Sequence, residues 1–579
     1  LHPTRDNTGL SQGLQRDDRR SLGDDVLLGV QKPCRYTGGE INAIHKDRSS
    51  VQLHMALAFP DAYEVGMSHL GLKILYSVLN ARDDLYAERV FAPWPDMEAV
   101  MREAHLPLAT LETGTPLADL DIIGFSLQYE LCATTVLQML DLGGIPLLSR
   151  DRTVGDPLVI AGGPVAFNPA PLAPFIDAFV IGEGEEAILA LADCFIRWKR
   201  QAGTREELLQ SLRALEGVYI PSVHQAGEVV TRCCVADIDQ AHFPARFVVP
   251  FCEIVHDRVG IEIARGCTRG CRFCQAGMLY RPVRERTAAT VMDLIRRNIS
   301  ATGWEEVALL SLSTGDYSHI GPLIKRVTAE FAPDKVAVSL PSLRTETFDR
   351  EMAEEIRKVR KTGFTLAPEA GTDRLRRVIN KGNTEDDLER AITSAFEQGW
   401  NAVKLYFMVG LPFETDDDLE GIVRVVKKAA QWARRGKVTA SISTFVPKSH
   451  TPFQWAGQIS IEETRRRQAL IRNHFRGGKV RVKFHEPKIS FLEGVFARGD
   501  ERLSEVIQRA FTKGARFDGW DEHLRFEVWM EAFAECGVQP EAYLEPRSLD
   551  KPLPWDMINV GVRGEYLREE WGKKLTRRS

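Results

Sequence analysis

No run of about 18 consecutive apolar residues occurs in the chain, so the sequence contains no candidate membrane span. The opening LHPTRDNTGLSQGLQRDDRR has none of the apolar centre that a secretory signal needs, and residues 1–25 are expected to be a disordered tail. Positive charge is not in excess: 75 Lys and Arg against 80 Asp and Glu leave a net charge of −5. That removes a chain-wide basic footprint for nucleic acid and leaves room only for a local patch. The basic end GKKLTRRS reads as a solvated tail. Short internal repeats and long low-complexity stretches are also missing. The expectation is a cytoplasmic globular protein with no membrane partner.

The chain has 579 residues, of which 44% are hydrophobic and 27% charged, enough for two to four domains with sizeable cores. Ten cysteines in a chain of this length without a signal do not make a disulfide framework. Seven of them are scattered and read as buried small hydrophobes. Cys233 and Cys234 are adjacent, so their side chains diverge, and they are not read as a second metal site.

The other three, Cys267, Cys271 and Cys274, lie in ARGCTRGCRFC. Thiolates are the usual ligands of iron–sulfur clusters, and three on one short loop can hold three corners of a cubane. Gly266 and Gly270 let the backbone turn tightly around the sulfurs. Zinc is the competing reading, but a structural zinc site would usually need a fourth ligand and paired CxxC units.

Two blocks of alternating strand and helix signals organise the chain. Apolar runs in the first are HMALAF (54–59), DIIGFSL (121–127), PLL (146–148), PLVIA (157–161) and AFVI (178–181), with helix-like spacing over 185–199. This pattern predicts a Rossmann-like, doubly wound parallel sheet over 26–215. Glycine-rich turns, GGP at 162–164 and GEGE at 182–185, follow two of its strands, where ligands bind in open sheets. A β-like, proline-bearing stretch at 216–257 reads as a connector. In the second block, 258–475, strand candidates start near Gly260, Val307, Lys335, Gly363, Ala402 and Lys437, six units of a partial (β/α)6 TIM-type barrel. The rest, 476–579, reads as mostly helical and as a cap packed on the barrel.

Several motifs fall at strand ends of the second block. Ser313-Thr314-Gly315-Asp316 follows the second strand, Ser339–Arg344 the third, Glu369 of LAPEAGT the fourth, Gly410 of GLPFET the fifth and Ser443–Lys448 the sixth. Each also has a plainer reading, as a turn or a helix-capping carboxylate.

CxxxCxxC with Phe273 before the last cysteine resembles the signature of the radical S-adenosylmethionine (radical SAM) superfamily. The resemblance implies a [4Fe-4S] cluster with one iron open to S-adenosylmethionine, which is cleaved to a 5′-deoxyadenosyl radical. It implies that Phe273 packs near the adenine, that Ser313–Asp316 stand for the motif binding the methionyl amino group, with Thr314 and Asp316 as departures, that Glu369 meets the ribose and that Gly410 borders the adenine. It also implies an electron donor such as flavodoxin or ferredoxin. The first block, through DIIGFSLQYE, AGGPVAFNPAP and IGEGEEAI, resembles the cobalamin-binding-like domain that precedes many radical SAM cores, in which Ser126, Gly162, Gly163 and Gly184 would cup the corrinoid. The DxHxxG motif that supplies an axial histidine is absent, and His69 reads as a loop or core residue. FPDAYEVGMSHLG, FVPKSHTPFQW, EGVFARGD and LPWDMINVGV extend the resemblance to a subfamily with such a domain.

The leading expectation is a cobalamin-dependent radical SAM enzyme transferring a methyl group to an unactivated position of an unidentified substrate. One alternative is radical chemistry with a vestigial first domain used for substrate docking. Another is a non-catalytic cluster carrier or RNA-binding scaffold. Methylthiotransfer is disfavoured because no second cysteine triad is present.

Overall fold

The computed structural model describes residues 23–576, apart from 342–343, 348–353, 356–363, 434–435 and 476–479. The first sheet has six strands: β1 Leu53–Phe59, β2 Leu85–Phe91, β3 Ile122–Ser126, β4 Leu158–Gly162, β5 Ala178–Val180 and β6 Val218–Tyr219, in the order β2-β1-β3-β4-β5-β6. The pairings of β1 to β5 are parallel, and only β6 runs antiparallel, against β5. The order 2-1-3-4-5 is the flavodoxin-like doubly wound arrangement, whose topological switch lies between β1 and β3.

Two details of this sheet differ from the sequence reading. The run PLL at 146–148 forms no strand, and the strand beside β1 is LYAERVF. Its Glu88 and Arg89 disguise it, yet both are buried. Glu88 pairs with His54 and takes the Thr110 hydroxyl at 2.7 Å. Arg89 is held between Glu40 at 2.8 Å and Glu112 at 2.6 Å. Paired in this way, charges are tolerated inside a sheet that is otherwise apolar. In addition, Asp24–Leu28, partly within the expected tail, form a short helix, while residues 1–22 lie outside the described residues.

Helices Leu70–Asn80 and Gly184–Gln201 cover one face of the sheet against Met55, Leu57 and Ile160. The other face, with Ala56, Phe125 and Val159, is covered by Ala133–Leu142 and by three helices from the far end of the chain, Pro487–Ala497, Leu503–Thr512 and Phe526–Glu535. The C-terminal helices therefore do not simply cap the barrel, as expected; they complete the first sheet. Their apolar stripes, Val506, Ile507 and Ala510 among them, match that wall.

The second unit contains β7 Val259–Glu262, β8 Glu306–Leu310 and β9 Ala337–Ser339, followed by β10 Phe364–Glu369, β11 Ala402–Val409, β12 Lys437–Thr444 and β13 Val480–Phe484. Every pairing among them is parallel. The six expected strands are present, and β13 adds a seventh beyond residue 475. Outward residues such as Val403, Leu405, Val438 and Ile442 are buried beneath the helices Glu385–Glu397 and Asp416–Trp432.

Three parts of the chain meet at one half-buried ion cluster. Lys448, after β12, reaches Glu130, after β3, at 2.6 Å and Glu493, on a C-terminal helix, at 2.8 Å. Tyr129 donates to Glu493 at 3.0 Å. Nearby, Asn168 donates to the carbonyl of Gly499 at 3.1 Å, and His450 lies 2.9 Å from the carbonyl of Phe167. The motifs SLQYE, FVPKSH and EGVFARGD thus join the units. Replacing Ile507 by Ala should cost about 2–5 kcal/mol. Hydrogen exchange should then rise in β3; a rise confined to β11 and β12 would mean that these helices support the barrel instead.

Candidate functional site

The cysteine loop begins directly after β7 and the short strand Ala264–Arg265. Gly266 has φ +88°, and a Cβ there would stand 2.5 Å from the carbonyls of both Tyr280 and Pro282, so no other residue fits the turn into Cys267. Cys271 is buried, while Cys267 and Cys274 are half-buried. Each sulfur faces an N–H donor: the Arg269 amide at 3.5 Å from Cys267, the Gly277 amide at 3.3 Å from Cys274, and the Arg344 guanidinium at 4.0 Å from Cys271. Donors aimed at sulfur stabilise thiolate and tune an iron–sulfur cluster. Among the described residues no three ligating side chains gather as they would around one ion. Thiolates at separate corners of a cubane have no need to converge on a single point.

The loop is supported from the C-terminal end of the chain. Arg272, 1% exposed, pairs with Glu570 at 2.9 Å and donates to the Val378 carbonyl at 2.6 Å. Glu570 belongs to the helix Gly564–Thr576, which runs into the first residues of the expected solvated tail 572–579. Trp571 of that helix packs on Phe453 and Trp455.

The strand-end residues collect around this loop. Asp316 sits in a 3-10 turn, Thr314–Asp316, and takes Arg269 at 2.7 Å and the Ser313 hydroxyl at 2.6 Å. Burial opposes its negative charge, but Arg269 and Ser313 hold its pKa below the ordinary value. Thr314 is buried and turned to the Leu309 carbonyl, so Gly315 and Asp316 complete the turn. Glu369 follows a register shift in β10, has φ +68° and pairs with Lys381 at 3.2 Å. A non-glycine residue held in the left-handed region marks stored strain of the kind found at ligand sites. Burial raises the Glu369 pKa, with Lys381 opposing. Gly410, φ +87°, donates its amide to Glu414 at 2.7 Å, which fixes the GLPFET turn. Phe273 packs into the apolar cluster that contains Leu411 of that turn and Phe453. Of the segment after β9, Ser342 and Leu343 lie outside the described residues.

A cavity of about 390 Å3 separates the two units. On one side it is lined by Ser126, Gly162, Gly163 and Gly184, at the ends of β3, β4 and β5; on the other by Ala264, Gly266 and Leu310–Leu312. Gly163 has φ +104° and ψ −179°, a region open essentially to glycine alone, and a Cβ there would meet the Leu127 carbonyl at 2.5 Å. His69 also lines the cavity. Its Nδ1 accepts the Leu72 amide at 3.1 Å as a helix cap, and burial pushes its pKa down to about 4. That capping role agrees with a neutral structural histidine.

One wall of the cavity is an ion network invisible in the sequence. Arg265, the residue before Gly266, binds Glu262 through two bonds of 2.9 Å, Glu185 at 2.7 Å and Glu183 at 3.0 Å. Arg284 adds 2.6 Å to Glu183, and the Val235 amide adds 2.8 Å. Burial works against the Glu183 carboxylate, yet Arg284 and Arg265 hold its pKa below the ordinary value. The GEGE turn is thus bound to the strand that leads into the cysteine loop. Only the motif positions hinted at this, because the partners stand 80 residues apart in the chain. Removing one partner of a buried pair costs about 3–5 kcal/mol. Arg265→Ala should show that loss in denaturant unfolding, with faster amide exchange at 182–184, whereas Glu186→Ala at the neighbouring exposed position should stay within about 0.5 kcal/mol.

Comparison with known proteins accords with this geometry. Residues 71–221 match the family described as radical SAM proteins, N-terminal, and residues 261–426 match the radical SAM superfamily. An uncharacterized protein of Methanocaldococcus jannaschii is 29% identical over 84% of this chain and 97% of its own length. The anaerobic magnesium-protoporphyrin IX monomethyl ester cyclase of Cereibacter sphaeroides is 27% identical over 48% of this chain and 44% of its own. Among solved structures, the radical S-adenosylmethionine methyltransferase TsrM of Kitasatospora setae, with cobalamin and a [4Fe-4S] cluster bound, is 14% identical with a TM-score of 0.48, covering 67% of this chain and 72% of that one. One matched segment falls in each unit of the fold, and the chain belongs to the radical SAM superfamily.

Proposed function

We propose that Cys267, Cys271 and Cys274 hold a [4Fe-4S] cluster, that S-adenosylmethionine binds at its open iron, and that a corrinoid occupies the cavity, making the chain a methyltransferase acting on an unactivated position. The observation that carries this reading is the course of the cavity. It runs from the ends of β3, β4 and β5 to Gly266, the residue preceding Cys267. The β3 side is the switch point where this sheet order binds flavin-type cofactors. The cavity therefore extends from the proposed corrinoid site to the backbone at the start of the cysteine loop.

When bound, the cluster supplies the electron that cleaves the sulfonium, and cobalamin supplies a methyl carrier. The chain supplies binding, orientation and exclusion of water. Glu369 presents a carboxylate able to accept two ribose hydroxyls, and Lys381 holds it. Asp316, kept ionised by Arg269, offers an acceptor for the methionyl ammonium. Gly410, fixed by Glu414, gives a backbone edge for the adenine beside Phe273. Ser126, Gly162, Gly163 and Gly184 leave the strand ends free of bulky side chains where a flat macrocycle would rest. His69, engaged through Nδ1 as a helix cap, is not among the residues that would hold the corrinoid.

Anaerobic reconstitution with iron and sulfide, followed by reductant and S-adenosylmethionine, should yield 5′-deoxyadenosine. Replacing any of the three cysteines by Ala should abolish it; no product from the intact chain would end the enzymatic reading. After incubation with hydroxocobalamin and gel filtration, the protein should keep a corrinoid visible spectrum. A colourless protein that still cleaves S-adenosylmethionine would favour an empty first domain used for substrate docking.

A further inference from the structure

The inner wall of the barrel is not used by the sites above. In β11, Val403, Leu405, Phe407 and Val409 are buried against the outer helices, so Lys404 and Tyr406 face the barrel interior. In β13, Val480, Val482 and Phe484 pack on the outer core, while Arg481 and Lys483 are exposed on the inner side. The parallel register aligns these residues in two rows. Lys404 stands opposite Thr439, and Thr439 opposite Arg481; Tyr406 stands opposite Ser441, and Ser441 opposite Lys483. Arg481 and Lys483 are roughly 7 Å apart along the strand, and Lys404 and Arg481 roughly 10 Å apart across two strand spacings.

On this face three cations share two adjacent rows without a carboxylate between them. Among the described residues the Lys404 ammonium is held by Tyr406, at 2.6 Å from the hydroxyl and 4.4 Å from the ring centre. Among the described residues no carboxylate pairs with Lys404, Arg481 or Lys483. On the nearby outer helix Ile461–Asn473, by contrast, Arg466 and Arg467 both pair with Glu463. Tyr406 is 38% exposed, unusual for an aromatic on an interior strand. Charges on an edge strand can serve to block aggregation. That explains Arg481 and Lys483, but not Lys404 and Tyr406, because β11 is flanked by β10 and β12. Among the described residues the strands form two sheets, β7 to β9 and β10 to β13, so β13 is paired on one side only and the face is reachable from that edge.

We propose that this face binds the anionic groups of the substrate, a compact molecule carrying at least two phosphate or carboxylate groups. Three like charges so close repel one another, and an anion between them removes that repulsion. The hydroxyls of Tyr406, Thr439 and Ser441 give it hydrogen bonds on the same rows. A net charge of −5 and a patch this small do not suit a polynucleotide, which needs an extended basic track. The inference deepens the proposed function by naming its substrate class and rests on that reading for the chemistry, but the binding step needs neither reductant nor S-adenosylmethionine.

The test is calorimetric titration of the full-length, cluster-reconstituted protein with inorganic tripolyphosphate, with citrate and with a single-stranded oligoribonucleotide. Tripolyphosphate, citrate or both should bind, more weakly as salt rises. The triple variant Lys404→Gln, Arg481→Gln, Lys483→Gln should lose at least about tenfold in affinity, while Arg465→Gln on the outer helix should match the wild type. Should the triple variant fail to fold, Lys483→Gln alone should lose about threefold. Equal binding by the folded variant, no binding of either small anion, or tighter binding of the oligoribonucleotide would each overturn the proposal. Separate assay of S-adenosylmethionine cleavage distinguishes the two readings. Cleavage without anion binding defeats this inference alone; anion binding without cleavage defeats the proposed enzymatic function and leaves the anion site standing.

Discussion

Arg265 is the point on which the site depends. Its guanidinium joins Glu262 of its own unit to Glu183 and Glu185 of the other, and the next residue is the glycine that opens the cysteine loop. A bidentate guanidinium is suited to this work, because its planar fork fixes direction as well as distance. Buried ion pairs contribute little net stability but impose a high cost on any rearrangement that separates them. The network thus defines the separation of the GEGE turn and the cysteine loop, and with it the width of the cavity.

The same economy of charge recurs at the other contacts between units. Lys448 joins Glu130 and Glu493, and Arg272 joins the cysteine loop to Glu570. The first sheet is finished by helices that lie after the barrel in sequence, so the two units cannot be divided by one cut of the chain. Apolar packing supplies the bulk of the cohesion, and the ion pairs set register and orientation. Lys404, Arg481 and Lys483 differ in their arrangement, because they lie on two adjacent rows of one inner face.

Much of this was legible in the sequence, for identifiable reasons. Runs such as IIGFS and LVIAG are nearly all apolar because parallel strands are covered on both faces, and they were recognised. LYAERVF is hidden by its two charged residues, whose partners Glu40, Glu112 and His54 come from distant segments. The cysteine loop was readable since all three thiols and their glycines are local. Gly163 and Gly184 were placed at the right strand ends, but the role of Gly163 is fixed by its backbone angles. Asp316 was found in sequence, whereas its partner Arg269 needed the fold. Arg265, Lys381 and Glu570 went unnoticed for the same reason: each acts through a residue that only the tertiary structure brings near.

One cavity leads from the proposed corrinoid site to the start of the cysteine loop, and the ion network sets the spacing between them. Electron paramagnetic resonance on the protein loaded with reduced cluster and cob(II)alamin tests it most directly, since both carry an unpaired electron. The account expects a resolved magnetic interaction between the two spins, which broadens in Arg265→Ala. Two independent, uncoupled spectra from a fully loaded wild-type protein would contradict it.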